Sequence, residues 1–309
     1  MSGEKPPLWD PGRWRGGKIN AILRLIRVEH TLFSLPFAYA GAVLAGCPLT
    51  WRTAVLIGLA LFGLRTAGMA YNNIADLEID RLNPRSRMRP LVTGAVSVGE
   101  AYAVVAAGSI LYYLSAWLLN KYALLFSPLL WIAAITYPYA KRIHWMPHLH
   151  LGLVLGLAVF GGAVAVCGCN APSASWVLAR VPWVYVAAVT LWVAGFDIVY
   201  SIMDYEFDRS HGLGSAAARL GVEGAAWFAL AIHVVASALF VLGALLYRPL
   251  TGGLTLVSAV IGSALMLYAD ARVIRDKRWI PKAFNLNLII GLIVSLGVIA
   301  DYILKIILG

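Results

Sequence analysis

Charge is scarce in this chain. Of 309 residues only 13% are charged, 61% are hydrophobic, and the mean hydropathy is +0.77, which excludes an ordinary soluble globular domain. No polar stretch is long enough to hold a separate soluble domain, so residues 1–309 are expected to fold as one membrane unit. Cysteine is scarce as well. Cys47, Cys167 and Cys169 form an odd set without zinc spacing. They are expected as unpaired apolar side chains, with a bridge from Cys47 to Cys167 or to Cys169 as the alternative. The opening stretch, MSGEKPPLWDPGRWRGGK, lacks the apolar core of a secretory signal. Residues 1–20 are therefore expected to form a cytoplasmic arm, with Trp9 and Trp14 resting at the interface. His144, His148 and His150 (HWMPHLH) imitate a metal cluster, but Pro147 is expected to break the helix that would align them, leaving an interfacial turn.

Apolar runs are abundant. A window of about 19 residues yields nine segments, at 28–46, 53–75, 98–119, 121–140, 149–168, 181–203, 224–246, 250–271 and 286–307. Each is long enough to cross about 30 Å of hydrocarbon as a helix. Nineteen of the 25 basic residues fall in the N-terminal arm and in the loops after the second, fourth, sixth and eighth segments. Lys and Arg accumulate on the cytoplasmic side of short loops, so that side is expected to face the cytoplasm and the C-terminus the outside. The same bias, with attraction to anionic lipid headgroups, accounts for the net charge of +10 without any nucleic-acid partner.

The acidic residues are few and unevenly placed. Of 15, seven lie in two places, Asp76, Glu78 and Asp80 in the first and Asp197, Asp204, Glu206 and Asp208 in the second, where DLEIDR is answered by DYEFDR. At a helical spacing of four, Asn72, Asp76 and Asp80 share one face, as do Asp204 and Asp208. Crowded carboxylates at an interface repel unless a cation neutralises them. Nearby arginines could serve through salt bridges alone. Two matched pairs of hard oxygen ligands fit better with Mg²⁺, which typically binds one or two carboxylates together with substrate phosphates.

These residues carry a family resemblance. Asn72, Asp76 and Asp80, followed by Asn83-Pro84-Arg85 and Arg89-Pro90, resemble the first motif of the UbiA superfamily of intramembrane prenyltransferases; Asp197, Tyr200, Asp204 and Asp208 resemble its second. Flanking segments (RVEHTLFSLPFAY from Arg27, RTAGMAYN from Arg65, YPYAKR from Tyr137) extend the likeness over nearly the whole chain and are most similar to the 4-hydroxybenzoate polyprenyltransferase branch. Asn73 departs from the pattern, since many members have Asp there. The resemblance implies an all-α, polytopic membrane protein of nine helices around a central cavity, with cytoplasmic caps over the motifs. It implies transfer of a polyprenyl group from its diphosphate to a small aromatic acceptor, 4-hydroxybenzoate, for quinone-type lipid synthesis.

On that reading Asn72, Asp76, Asp80, Asp204 and Asp208 hold Mg²⁺, two ions bridging the diphosphate, and Lys141, Arg142, Arg85 and Arg89 bind the diphosphate. Tyr71, Tyr137 and Tyr200 are candidates to shield the allylic cation. Arg65 lies eleven residues before Asp76, about 16 Å deeper on the same helical face, and Asp197 about 10 Å deeper than Asp204. Ionisable residues at such depth usually line a cavity. Arg65 is expected to bind the acceptor carboxylate and Asp197 to orient or deprotonate the acceptor, the alternative being that they neutralise each other. Other acceptors (a naphthoate, a glycerol phosphate lipid, a haem or chlorophyll precursor) and a non-enzymatic Mg²⁺ or phosphate transporter stay open. A soluble isoprenyl diphosphate synthase would not need nine apolar spans.

Overall fold

The computed structural model describes residues 17–248 and 250–308, and every regular element among them is helical. Trp9 and Trp14 of the predicted arm lie outside the described residues. Helix α1 (Lys18–Ile26) buries Leu25 and Ile26 against the bundle, and α2 (Val28–Leu44) follows it. Next come α3 (Trp51–Ala75), α4 (Leu77–Leu82), α5 (Val98–Leu119), α6 (Lys121–Thr136), α7 (Ala140–Ile143) and α8 (Pro147–Cys167). The second half holds α9 (Ala174–Leu178), α10 (Trp183–Ser201), α11 (Tyr205–Ser210), α12 (Ala216–Leu246), α13 (Gly253–Arg275) and α14 (Ile280–Leu308).

The nine predicted segments fall on α2, α3, α5, α6, α8, α10, α12, α13 and α14. Among the described residues eight stretches are long and apolar enough to cross a membrane. The exception is α2, whose 17 residues reach about 26 Å. Length and composition therefore support eight crossings and leave the ninth open. Local sequence sets the helix starts. The Thr50 hydroxyl accepts from the Thr53 N–H at 3.2 Å, Ser97 and Glu100 form a reciprocal capping box, and Asn120 Oδ1 accepts from the Tyr122 and Ala123 N–H groups.

Packing follows from small residues, because lipid gives apolar side chains no reason to leave it and close backbone approach must supply the attraction. Helix α8 is the central post, mostly buried and packed on α2, α6 and α10; α14 returns to α2 and closes the ring. A Cβ on Gly162 would strike the backbone carbonyl of Ala38, so α2 and α8 meet at a notch that only glycine permits. The same two helices are joined at their ends by a disulfide between Cys47 and Cys167, with Cα atoms 5.3 Å apart. The expectation of three unpaired cysteines is corrected here. Spacing of 120 residues in sequence gave no hint that the α2–α8 contact brings the two thiols within bonding geometry. Cys169 is free.

Two polar groups lie deep in the opposite wall. His233 on α12 and Asp270 on α13 meet at 2.6 Å, both essentially without solvent exposure, and the other ring nitrogen of His233 reaches the Trp192 carbonyl on α10 at 3.0 Å. Trp192 Nε1 in turn donates to Asn287 Oδ1 on α14 at 2.9 Å. Four helices are thus tied by one satisfied network.

Candidate active site

A cavity of about 900 Å³ runs through the bundle between α2, α3, α6, α8, α10 and α14. Its lining on α3 climbs one face at helical spacing, from Ile57 through Leu61, Arg65, Gly68 and Asn72 to Asp76, a stripe about 28 Å long. Helix α10 supplies Val193, Phe196, Asp197, Tyr200 and, just past its end, Asp204. One end of the cavity is polar and charged. The other, toward Leu119, Ala123 and Phe126, is apolar.

The charged end is built where helices break. Helix α3 stops at Asp76 (φ −95°, ψ 3°) before α4 begins. A 3-10 turn at Ile202–Asp204 separates α10 from α11, with Asp204 in nearly the same conformation (φ −103°, ψ 8°). A second 3-10 turn, Tyr137–Tyr139 with Pro138 near its start, precedes α7. The predicted stripes of carboxylates are therefore not single straight helices. Asp76 lines the cavity, whereas Asp80 is buried beneath the following loop.

Each of these carboxylates has a basic partner. Lys141 Nζ lies 2.7 Å from Asp76 Oδ2 and Arg142 Nη2 lies 3.3 Å from Asp76 Oδ1. Arg89 pairs with Asp80. Arg85 Nη1 reaches Asp204 Oδ2 at 2.6 Å, and Asn83 donates to the other Asp204 oxygen at 3.4 Å. The loop after the first motif is thereby tied to the second motif. Burial raises the Asp80 carboxyl above the usual carboxylate range, with the Arg89 guanidinium opposing the shift. Asp208 approaches the Ser215 hydroxyl at the start of α12. Asn73 turns away from this chemistry: its side-chain amide donates to the Leu25 and Met69 carbonyls, holding α1 to α3.

The oxygen set fits a hard divalent ion. Asn72, Asp76 and Asp204 converge on the cavity wall from both halves of the chain, and every donor is a hard oxygen. Among the described residues no three His, Cys, Asp or Glu side chains are grouped so as to hold a metal ion by themselves. Mg²⁺ typically binds one or two carboxylates and takes further ligands from substrate phosphates.

Deeper in the cavity Arg65 and Asp197 do not pair with each other. Arg65 Nη1 donates to the buried Ser34 hydroxyl at 2.7 Å, while Asp197 Oδ2 meets His148 Nδ1 at 2.7 Å. Tyr200 packs on Phe284 at 4.7 Å between centroids and carries the Arg85 guanidinium 4.9 Å above its ring. Tyr137 also lines the cavity. Tyr71 is held by the Tyr139 hydroxyl at 2.9 Å and, like Arg142, is not among the cavity-lining residues.

His148 was missed by the sequence reading. Pro147 does not break a helix; it occupies the first turn of α8, where a missing N–H costs nothing. His148 is thereby carried inside the bundle. The three histidines diverge: His144 accepts from the Met146 N–H, His148 faces Asp197, and His150 contacts the Ala133 carbonyl. Proline at a helix start was the available signal. The aromatic wall of Phe33, Phe196 and Phe284 had none, because nothing in the sequence separates a lining phenylalanine from a packed one.

Comparison with known proteins identifies the family. The family model described as the UbiA prenyltransferase family matches residues 34–289, and the chain belongs to that family. It is a multi-pass membrane prenyltransferase. It is similar to a solved UbiA homologue from Aeropyrum pernix K1 in its apo form, at 56% identity and a TM-score of 0.82, over 88% of this chain and 98% of that one. A solved structure described as digeranylgeranylglyceryl phosphate synthase is 25% identical with a TM-score of 0.69, over 93% and 99% of the two chains. An Archaeoglobus fulgidus homologue bound to GPP and Mg²⁺, at 20% identity and a TM-score of 0.61 over 91% and 99% of the two chains, shares the fold. Among curated proteins, 4-hydroxybenzoate octaprenyltransferase from Herminiimonas arsenicoxydans is 29% identical over 82% of this chain and 86% of its own length.

Proposed function

We propose that the protein transfers a polyprenyl group from its diphosphate to 4-hydroxybenzoate in the membrane, with Mg²⁺ as the required ion. One observation carries the reading: a single cavity places Arg65 and Asp197 deeper than the Asp76 and Asp204 end and continues into an apolar channel. A diphosphate, an aromatic acid and a prenyl tail each have chemically suitable walls in it.

Asn72, Asp76, Asp80, Asp204 and Asp208 would hold two ions. Bound there, Mg²⁺ supplies the positive charge that the departing diphosphate requires. Lys141, Arg142, Arg85 and Arg89, which neutralise the carboxylates in this structure, are the cations that would turn to phosphate oxygens. The allylic C–O bond breaks with its electron pair leaving on the diphosphate. Tyr200 and Tyr137 offer aromatic faces to the resulting cation and exclude water. Arg65 grips the benzoate carboxylate. The ring carbon beside the phenol forms the new C–C bond, and the displaced ring proton passes to Asp197, which also orients the acceptor.

A glycerol phosphate lipid acceptor is the second reading, favoured by the likeness to digeranylgeranylglyceryl phosphate synthase. The distribution of basic residues supports a cytoplasmic N-terminus and motif end, with the C-terminus outside. The test is a product assay with purified protein, Mg²⁺, geranyl diphosphate and a panel of acceptors, read by mass spectrometry. Prenylated 4-hydroxybenzoate supports the first reading; product only with the glycerol phosphate acceptor replaces it with the second.

A further inference from the structure

We infer that His148 is a positioning residue for the prenyl transfer. It sets the orientation of Asp197 and links that carboxylate to the loop following the second Asp motif. The inference rests on the reading of Asp197 as the group that orients and deprotonates the acceptor.

The geometry fixes the tautomer. His148 is almost completely buried. Its Nε2 lies 3.1 Å from the backbone nitrogen of Ala216. A backbone N–H only donates, so Nε2 is an acceptor and bears no proton. The ring proton is therefore on Nδ1, which donates to Asp197 Oδ2 at 2.7 Å. An imidazolium would set two N–H groups against each other at Ala216, and the opposite tautomer would leave Nδ1 facing a carboxylate lone pair to lone pair. One ring thus presents a fixed donor to Asp197 and holds its Oδ2 in one orientation. About a quarter of the Asp197 side chain remains exposed, and the residue lines the cavity.

The far side of the ring is equally constrained. Ala216 is the first residue of α12 and follows Ser215, whose hydroxyl caps the helix by accepting from the Ala218 N–H. Asp208 approaches that same hydroxyl. The loop before it is clamped to α7 and the residue that ends it: Gly214 N–H donates to the Lys141 carbonyl at 2.6 Å, and a Cβ on Gly214 would collide with the His144 carbonyl. Lys141 and His148 leave this short segment in different directions, one to Asp76 and the other to Asp197. The donor end and the acceptor end of the cavity therefore share one anchored element, and His148 is its arm toward the acceptor. Partners of this kind, acting through the group that touches substrate, are worth on the order of ten- to a hundredfold at comparable metal sites.

Two substitutions separate the two hydrogen bonds. The amide nitrogen of Asn superposes on Nδ1, so His148→Asn keeps the donor to Asp197 and loses the acceptor for Ala216. The amide oxygen of Gln superposes on Nε2, so His148→Gln keeps the helix contact and loses the donor. Steady-state kinetics would be measured on the full-length protein in nanodiscs with geranyl diphosphate, Mg²⁺ and 4-hydroxybenzoate, together with thermal melting. His148→Gln is expected to lower kcat on the order of ten- to a hundredfold, leaving the KM for geranyl diphosphate and the melting temperature near parental. His148→Asn is expected to keep most of the parental kcat while melting at a lower temperature. Asp197→Asn and the double variant Asp197→Asn/His148→Gln should have equal, low kcat. Parental kcat in His148→Gln alongside a damaged Asp197→Asn, or equal kcat losses in His148→Asn and His148→Gln, overturns the role of His148 alone. Parental kcat in Asp197→Asn refutes the base itself and the inference with it.

Discussion

Replacing Arg65 by Ala isolates the acceptor from the donor. Arg65 is half-buried, lines the cavity and is oriented by its 2.7 Å hydrogen bond to Ser34. A charge-assisted contact to a benzoate carboxylate in this setting is worth about 1.5 to 3 kcal/mol. The KM for 4-hydroxybenzoate should therefore rise on the order of ten- to a hundredfold. Asp76 lies eleven residues further along α3, about 16 Å away, and its partners are Lys141 and Arg142 rather than Arg65. The KM for the prenyl diphosphate should accordingly stay close to parental. Arg65→Lys keeps the charge without the planar fork and should recover only part of the loss. The assay is initial-rate kinetics in nanodiscs, varying each substrate at saturating levels of the other. An unchanged KM for 4-hydroxybenzoate in Arg65→Ala would refute the carboxylate clamp and shift the weight to an acceptor that engages another part of the cavity.

Asp76→Ala should abolish transfer while the protein still elutes as folded material from a sizing column, and EDTA should silence the parent; turnover that survives chelation would exclude the metal. Cys47→Ser should lower the melting temperature, by a free energy of at most about 5 kcal/mol for a loop of this length, without changing kcat, and a melting curve indifferent to reductant would contradict the bridge. Asp270→Ala strands His233 in the bundle and should cost about 3 to 5 kcal/mol, much of it regained when both residues are replaced by apolar ones; denaturation of the two variants measures the difference. A C-terminal reporter active only in the cytoplasm would reverse the proposed orientation.

Sequence alone determined the environment and the main chemical theme. Burying backbone in lipid requires helices, so apolar runs of sufficient length mark the spans. Scarcity of acid made the two Asp motifs conspicuous. Helical period was enough to put Arg65 below Asp76 and Asp197 below Asp204, because each pair is joined by a single helix and the turn at its end and needs no tertiary information.

Relations between helices were decided only by the fold. Arg85 is four residues from Arg89, yet one binds Asp204 in the second motif and the other Asp80 in the first. Periodicity within a segment carries no term for which distant segment lies beside it. The Cys47–Cys167 bridge depends on α2 and α8 meeting at the Gly162 notch, a steric fact about two backbones 120 residues apart. His148 is the sharpest case. Its sequence context resembles an interfacial turn, and its place beside Asp197 exists because α8, α10 and the start of α12 converge on one ring. The hydrogen bonds of an imidazole are fixed by whatever donors and acceptors surround it, and here two segments distant in sequence from His148 supply them.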